Sequence, residues 1–202
     1  MPLLRKTSAP LRIGLLGGSF NPAHEGHMHI SAHALSRLRL DQVWWLVSPQ
    51  NPLKDTADMA PLEQRLESAR AQAGDPRIHI TDLERDFGTR YTVDTLKALK
   101  RRFPGYKFVW LMGADNLSQI SRWRSWRTIF RRVPIAVFAR PSYSLRALSG
   151  RAARHFAAYR IRESRAGALA GLKPPAWVFL HIKPHAASAT RIRERLASIN
   201  KE

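Results

Sequence analysis

The stretch Leu15-Leu16-Gly17-Gly18-Ser19-Phe20-Asn21-Pro22-Ala23-His24-Glu25-Gly26-His27 runs from an apolar segment through a double-glycine turn into a helix start. A chain built on that transition has few folds open to it. Residues 12–16 are too uniformly apolar for a half-exposed strand and predict a buried one. Gly17-Gly18 lets the backbone approach a bulky ligand, and Pro22 keeps the turn from being helical. Beyond Gly26, the residues Ile30, Ala34, Leu35 and Leu38 recur at helical spacing, so His24 and His27 fall at or just before a helix N-terminus. Such an end offers N–H groups and a positive dipole to an anion, and two imidazoles add directional donors. The economical reading is a phosphate-binding turn.

A metal site is the alternative, since His24, His27, His29 and His33 lie close together and His29 and His33 share a helix face. The zinc-protease pattern fails at Met28, where a second histidine would be needed, and the absence of cysteine removes any thiolate ligand. His29 and His33 read as ordinary helix residues.

The rest of the chain alternates strand and helix. Val43–Val47 predicts a second strand, and Leu62, Leu66, Ala69 and Ala73 predict a helix closed by Gly74-Asp75-Pro76. Ile78–Ile80 is a third strand. Thr92 is the expected N-cap of a helix that buries Val93, Leu96 and Leu99. Tyr106–Met112 is the strongest central strand, leading into Gly113-Ala114-Asp115-Asn116. A carboxylate beyond the carboxyl end of a parallel strand can accept from a ribose hydroxyl. Trp123 and Trp126 follow on an arginine-rich helical segment, and Trp123 divides evenly between packing and ligand recognition. Val133–Ala139 and Trp177–Ile182 predict two more strands, separated by a helical stripe of Leu145, Leu148, Ala152, Phe156 and Tyr159. A last helix carries Ile192, Leu196 and Ile199. At its start Ser188, Thr190 and Arg193 bring hydroxyls and a guanidinium to a helix N-terminus, a second anion site. The alternation predicts an α/β fold with a doubly wound parallel sheet.

Residues 1–10 read as a disordered tail and residues 11–202 as a single domain, with no apolar run long enough to cross a bilayer and no signal-peptide pattern. A cytoplasmic protein is expected. The formal charge of +19 keeps a nucleic-acid-binding module as a rival from another class. The arginines are interleaved with apolar residues at helical spacing, which favours solvated helix faces with at most nonspecific attraction to nucleic acid.

The histidine turn resembles the nucleotidyltransferase signature G-G-x-F-D-P-x-H-x-G-H, departing from it at Asn21, and Ser188-Ala189-Thr190-Arg191-Ile192-Arg193 resembles the same family's S-S-T-x-I-R, with Ala189 in place of a serine. Asn51-Pro52-Leu53-Lys54, residues 91–96 and Gly113-Ala114-Asp115-Asn116-Leu117 with Trp123 look like the bacterial nicotinate-nucleotide adenylyltransferases. Phosphopantetheine adenylyltransferase, the nearest competitor, is similar in the histidine turn but shorter, with different middle motifs.

The resemblance implies a Rossmann-like nucleotidyltransferase fold and adenylyl transfer from ATP to nicotinate mononucleotide, giving deamido-NAD and pyrophosphate in NAD biosynthesis. By the same resemblance His24, His27 and Arg193 are catalytic. ATP is held by Gly17, Gly18, Ser19, Phe20, His24, His27, Gly113, Asp115, Ser188, Thr190 and Arg193, and nicotinate mononucleotide by Asn51, Lys54, Tyr91, Thr92 and Trp123. Mg2+ is carried mainly by ATP, with no dedicated protein metal site. Arg90 departs from the small residue usual before Tyr91, either adding charge to the pyridine site or facing solvent.

Overall fold

The computed structural model describes residues 9–49, 59–140 and 143–183. Six strands form one parallel sheet in the order β3-β2-β1-β4-β5-β6, with β1 at Arg12–Gly18, β2 at Gln42–Val47, β3 at Ile78–Thr81, β4 at Lys107–Gly113, β5 at Ile135–Phe138 and β6 at Trp177–Leu180. The order reverses between β1 and β4, so the chain leaves the sheet in opposite directions from those two strands and opens a crevice at their carboxyl ends.

Alternate residues of each strand face opposite layers. Ile13 and Leu15 of β1 and Phe108, Trp110 and Met112 of β4 pack with Val93, Leu96, Leu99, Ile129 and Phe130. These come from α4 (Thr92–Arg102) and α6 (Trp126–Arg132). Leu16, Val43, Trp45, Val109 and Leu111 meet Ile30, Ala34 and Leu35 of α1 (Glu25–Arg37) and Leu66 and Ala69 of α2 (Leu62–Gln72). Burial on both faces explains why the strands read as continuous apolar runs. Among the described residues no helix is long and apolar enough to cross a membrane.

Several local expectations are corrected. A four-residue helix, α3 (Leu83–Asp86), intervenes before α4. The N-cap of α4 is Tyr91 rather than Thr92, because the extended Tyr91 already offers its carbonyl to the N–H groups of Asp94 and Thr95. The strand expected over residues 133–139 is confined to Ile135–Phe138, preceded by Pro134, and the one expected over 177–182 ends at Leu180. The long stripe from Leu145 to Tyr159 is not one helix. Gly150, in an extended conformation, separates α7 (Ser144–Leu148) from α8 (Arg151–His155), and Leu145 is 87% exposed. After it the chain continues as a 3-10 helix over Glu163–Gly171. Residues 1–8 of the tail expected over residues 1–10, and the last helix, lie outside the described residues.

Candidate active site

The crevice at the β1/β4 reversal is a cleft of about 590 Å3. One end is built by the last residues of β1 and those that follow it. Gly17 is required there because a Cβ would stand 2.6 Å from the indole of Trp110 on the neighbouring strand. Phe20 adopts a left-handed backbone conformation, φ 47°, an unusual state for a bulky side chain. That conformation turns its ring inward, where it stacks on Trp45 with centroids 5.1 Å apart and supports His27 at 4.6 Å.

His24 is the N-cap of α1, and its Nδ1 accepts from the Gly26 N–H at 3.1 Å. His27 Nδ1 accepts in return from the His24 N–H at 3.2 Å. The pair forms a capping box made of imidazoles. An Nδ1 that accepts a backbone N–H carries no proton, so each neutral ring keeps its proton on Nε2. The backbone therefore fixes the tautomer that makes both rings donors through Nε2. Glu25 between them is exposed, as an anion beside a phosphate site must be. Asn21 stands where the signature has Asp, and its Oδ1 accepts from the Ala60 N–H at 3.3 Å, a bond that a carboxylate would also make.

A second wall of the cleft is the end of β4. Asp115 lies in the first turn of α5 (Ala114–Gln119), and its Oδ1, a buried acceptor, lies 3.4 Å from Arg140 Nε without hydrogen-bond geometry. A Cβ on Gly113 would meet the Asp115 carboxylate and the Arg140 side chain, so a larger residue there would displace this pair. Arg140, at the end of β5, was not singled out in the sequence. Its place after a parallel strand was the available signal.

A third part of the cleft is the start of α4, whose N-terminus has no capping side chain. Tyr91 and Thr92 line the cleft there, facing Trp123. Trp123 sits between a 3-10 turn (Ile120–Arg122) and α6 rather than on a helix, and it lines the cleft half-buried. Trp126, by contrast, is buried against Phe130 and Phe156. Trp126 is thus a packing residue, whereas Trp123 packs against the edge of the core and also faces the cleft. Arg90, Arg122 and Arg124 surround this end, with the Arg124 guanidinium 4.7 Å from the Tyr91 ring centroid.

Every described residue expected at a site, namely Gly17, Gly18, Ser19, Phe20, His24, His27, Tyr91, Thr92, Gly113, Asp115 and Trp123, lines this one cleft. Asn51, Lys54, Ser188, Thr190 and Arg193 lie outside the described residues. His29 is not part of the cleft; its Nε2 bonds the Lys183 carbonyl oxygen at 2.8 Å, and its ring meets His33 edge-on. Among the described residues no group of three or more His, Asp or Glu side chains is placed to hold a metal ion.

Residues 15–195 match the family described as Cytidylyltransferase-like. A probable nicotinate-nucleotide adenylyltransferase of Methylorubrum extorquens (strain PA1) is 55% identical over 185 residues, covering 92% of this chain and all of that relative. The chain belongs to this family, and within it to the nicotinate-nucleotide adenylyltransferases. A second member with that name, from Parvibaculum lavamentivorans, is 54% identical over 92% of each chain. The nicotinic acid mononucleotide adenylyltransferase of Plasmodium falciparum, solved with NaAD, superposes with a TM-score of 0.67 at 18% identity, covering 91% of this chain and 83% of its own. At that identity the likeness concerns the adenylyltransferase fold alone.

Proposed function

We propose that the cleft transfers the adenylyl group of ATP to nicotinate mononucleotide, releasing deamido-NAD and pyrophosphate. The observation that carries this reading is the reciprocal capping of His24 and His27, which makes both rings Nε2 donors beside the Gly17-Gly18 turn. A phosphate oxygen of the mononucleotide attacks the α-phosphorus of ATP. A new P–O bond forms there as the bond to the β-phosphate oxygen breaks, and the leaving pyrophosphate takes the electron pair. The nucleophile is an anion near neutral pH, so the site needs no general base. It needs alignment and donors for developing charge.

In this reading His24 and His27 donate to the phosphates, and the half-buried Asp115 carboxylate takes a ribose hydroxyl of the adenosine. The N-terminus of α4 takes the nicotinate carboxylate, with Trp123 stacked on the pyridine ring. Phe20 acts through His27 rather than on the ligand. Ser188, Thr190 and Arg193 grip the β- and γ-phosphates, and Asn51 and Lys54 the mononucleotide, by their match to the family motifs. Magnesium enters as part of the ATP substrate, held by its phosphates and water. The reaction suits the cytoplasm, and nucleic acid meets the basic surface only nonspecifically.

Incubation of purified protein with Mg-ATP and nicotinate mononucleotide is expected to yield deamido-NAD and pyrophosphate in equal amounts. Absence of both products would overturn the reading in favour of a basic binding module. Arg193→Ala should weaken ATP more than the mononucleotide and reduce the salt sensitivity of ATP binding. Unaltered ATP affinity by calorimetry would reduce the carboxyl-terminal signature to a helix cap.

A further inference from the structure

Two buried charged side chains have no part in the reaction as described, Arg65 beneath the cleft and Glu84 in its wall. Arg65 of α2 is 2% exposed, and among the described residues no carboxylate pairs with it. Its guanidinium is satisfied by carbonyl oxygens alone. Nη1 donates to Ser19 and to Ser48, both at 2.7 Å, Nη2 to Pro49 at 3.0 Å and Nε to Ala60 at 2.8 Å. Burial holds this guanidinium below its ordinary pKa. Burying a cation without a counter-charge is unfavourable, and the planar fork compensates by tying three separate loop segments together.

Glu84 of α3 is the second group. Its Oε1 accepts from Thr95 Oγ1 of α4 at 3.0 Å, and its carboxylate also accepts from the Ser48 side chain. Thr95 is fully buried, and its hydroxyl meets that of Thr89 at 3.0 Å. A continuous hydrogen-bonded path therefore runs from the Ser19 carbonyl through buried Arg65, half-buried Ser48 and buried Glu84 to Thr95, one turn into α4. One end is the phosphate turn and the other is the pyridine helix.

We propose that Arg65 and Glu84 are positioning residues that fix the spacing between the two nucleotide half-sites, so that the attacking phosphate and the α-phosphorus of ATP meet in line. The assignment rests on the cleft reading above. Each half-site has its own local supports, the imidazole capping box at one end and the α4 backbone at the other. What neither supplies is its distance from the other. A displacement of about 1 Å between reacting groups can cost roughly a hundredfold in rate without removing any ligand contact. The path is thus expected to govern turnover and leave the binding of each nucleotide alone largely unchanged.

The test uses the full chain carrying Arg65→Lys, Ser48→Ala, Glu84→Ala, Glu84→Gln or the double change Arg65→Lys with Glu84→Ala. Arg85→Ala, in a surface ion pair with Glu63, is the control. Binary affinities for Mg-ATP and for nicotinate mononucleotide are read by calorimetry, and kcat by pyrophosphate release. Arg65→Lys and Glu84→Ala should lower kcat by about tenfold or more while each binary Kd moves less than about threefold. Glu84→Gln, which keeps an acceptor oxygen, should recover most of the turnover. The double variant should be hardly worse than the poorer single one, because both break one path.

Unchanged kcat in Glu84→Ala and Ser48→Ala would overturn the proposal even if Arg65→Lys failed to fold. A Kd for one nucleotide that worsens in step with kcat would overturn it too, as would strictly additive losses. Failure of the unmodified protein to bind either nucleotide would instead overturn the cleft reading beneath it.

Discussion

The two ends of the cleft are held in opposite ways. At the phosphate end the working side chains are themselves locked: each imidazole spends its Nδ1 on a backbone N–H, and Phe20 braces His27 from beneath. The end proposed for the pyridine offers an uncapped helix start, a tryptophan on a connecting loop and exposed arginines. The difference teaches where each kind of work is done. Donors that must stabilise charge at one moment of the reaction are fixed in advance, whereas groups that only recognise a ring and a carboxylate are set on less constrained segments. Changes at the first end should fall on kcat, and changes at the second on KM and substrate choice.

The sharpest break of this contrast is removal of a locked donor. His27→Ala is expected to raise the barrier by about 2 to 4 kcal/mol with the fold intact, the usual scale for a preorganised transition-state donor. His24→Ala should lose as much in rate and, because His24 also caps α1, should lower Tm as well, since losing a cap costs about 1 kcal/mol. Stopped or rapid-quench assays with circular dichroism separate the two effects. Unchanged turnover in both variants would mean that the histidine turn does not touch the phosphates.

At the other end the expected effect is on selectivity. N–H donors at the start of α4 accept a carboxylate's two oxygens, but a carboxamide would set its NH2 against them. A buried donor left unpaired costs roughly 1 to 3 kcal/mol, so a preference of about a hundredfold in kcat/KM for nicotinate over nicotinamide mononucleotide follows. Trp123→Ala should weaken both substrates and leave their ratio nearly unchanged. Equal efficiency on acid and amide would mean that α4 does not read the carboxylate.

The same contrast explains what could be read from the sequence. The local structure of the histidine turn was legible because it is continuous: Gly17 to His27 contains the strand end, the turn and the first residues of α1. The alternation of apolar runs with helical stripes likewise revealed the doubly wound sheet. The path beneath the cleft was not legible. Arg65 falls on the same helix face as Leu62, Leu66 and Ala69, but its charge assigns it to solvent, and its partners are carbonyls, which leave no trace in side-chain identity. Glu84 lies on a four-residue helix too short to show periodicity. Arg140 was passed over because its partner Asp115 is remote in sequence and the two meet only when β4 and β5 pair.

The smallest expected effect concerns acid. The phosphate end is braced by a backbone capping box and ring stacking, while the pyridine end leans on Glu84, a buried carboxyl. Burial raises the Glu84 pKa above its ordinary value of 4.5, against the opposing pull of hydrogen bonds from Ser48 and Thr95. Below the ordinary value the folded and unfolded chains both hold the proton, and the contribution to stability is fully present. As pH rises the unfolded chain ionises first, so that contribution is lost until the folded carboxyl ionises as well. Glu84→Gln removes the titration and keeps an acceptor. Its Tm relative to the unmodified protein should therefore climb as pH rises from about 4 and level off once the folded carboxyl has ionised. His33 and His79, whose pKa values burial lowers, titrate in both proteins and drop out of the difference. Thermal unfolding of the pair across about pH 4 to 8 is the measurement. A flat difference would show that folding leaves the Glu84 pKa unshifted, whereas one that falls with rising pH would show that Glu84 is stabilised as a carboxylate, and the pyridine end would then rest on a permanent charge as the phosphate turn rests on Arg65.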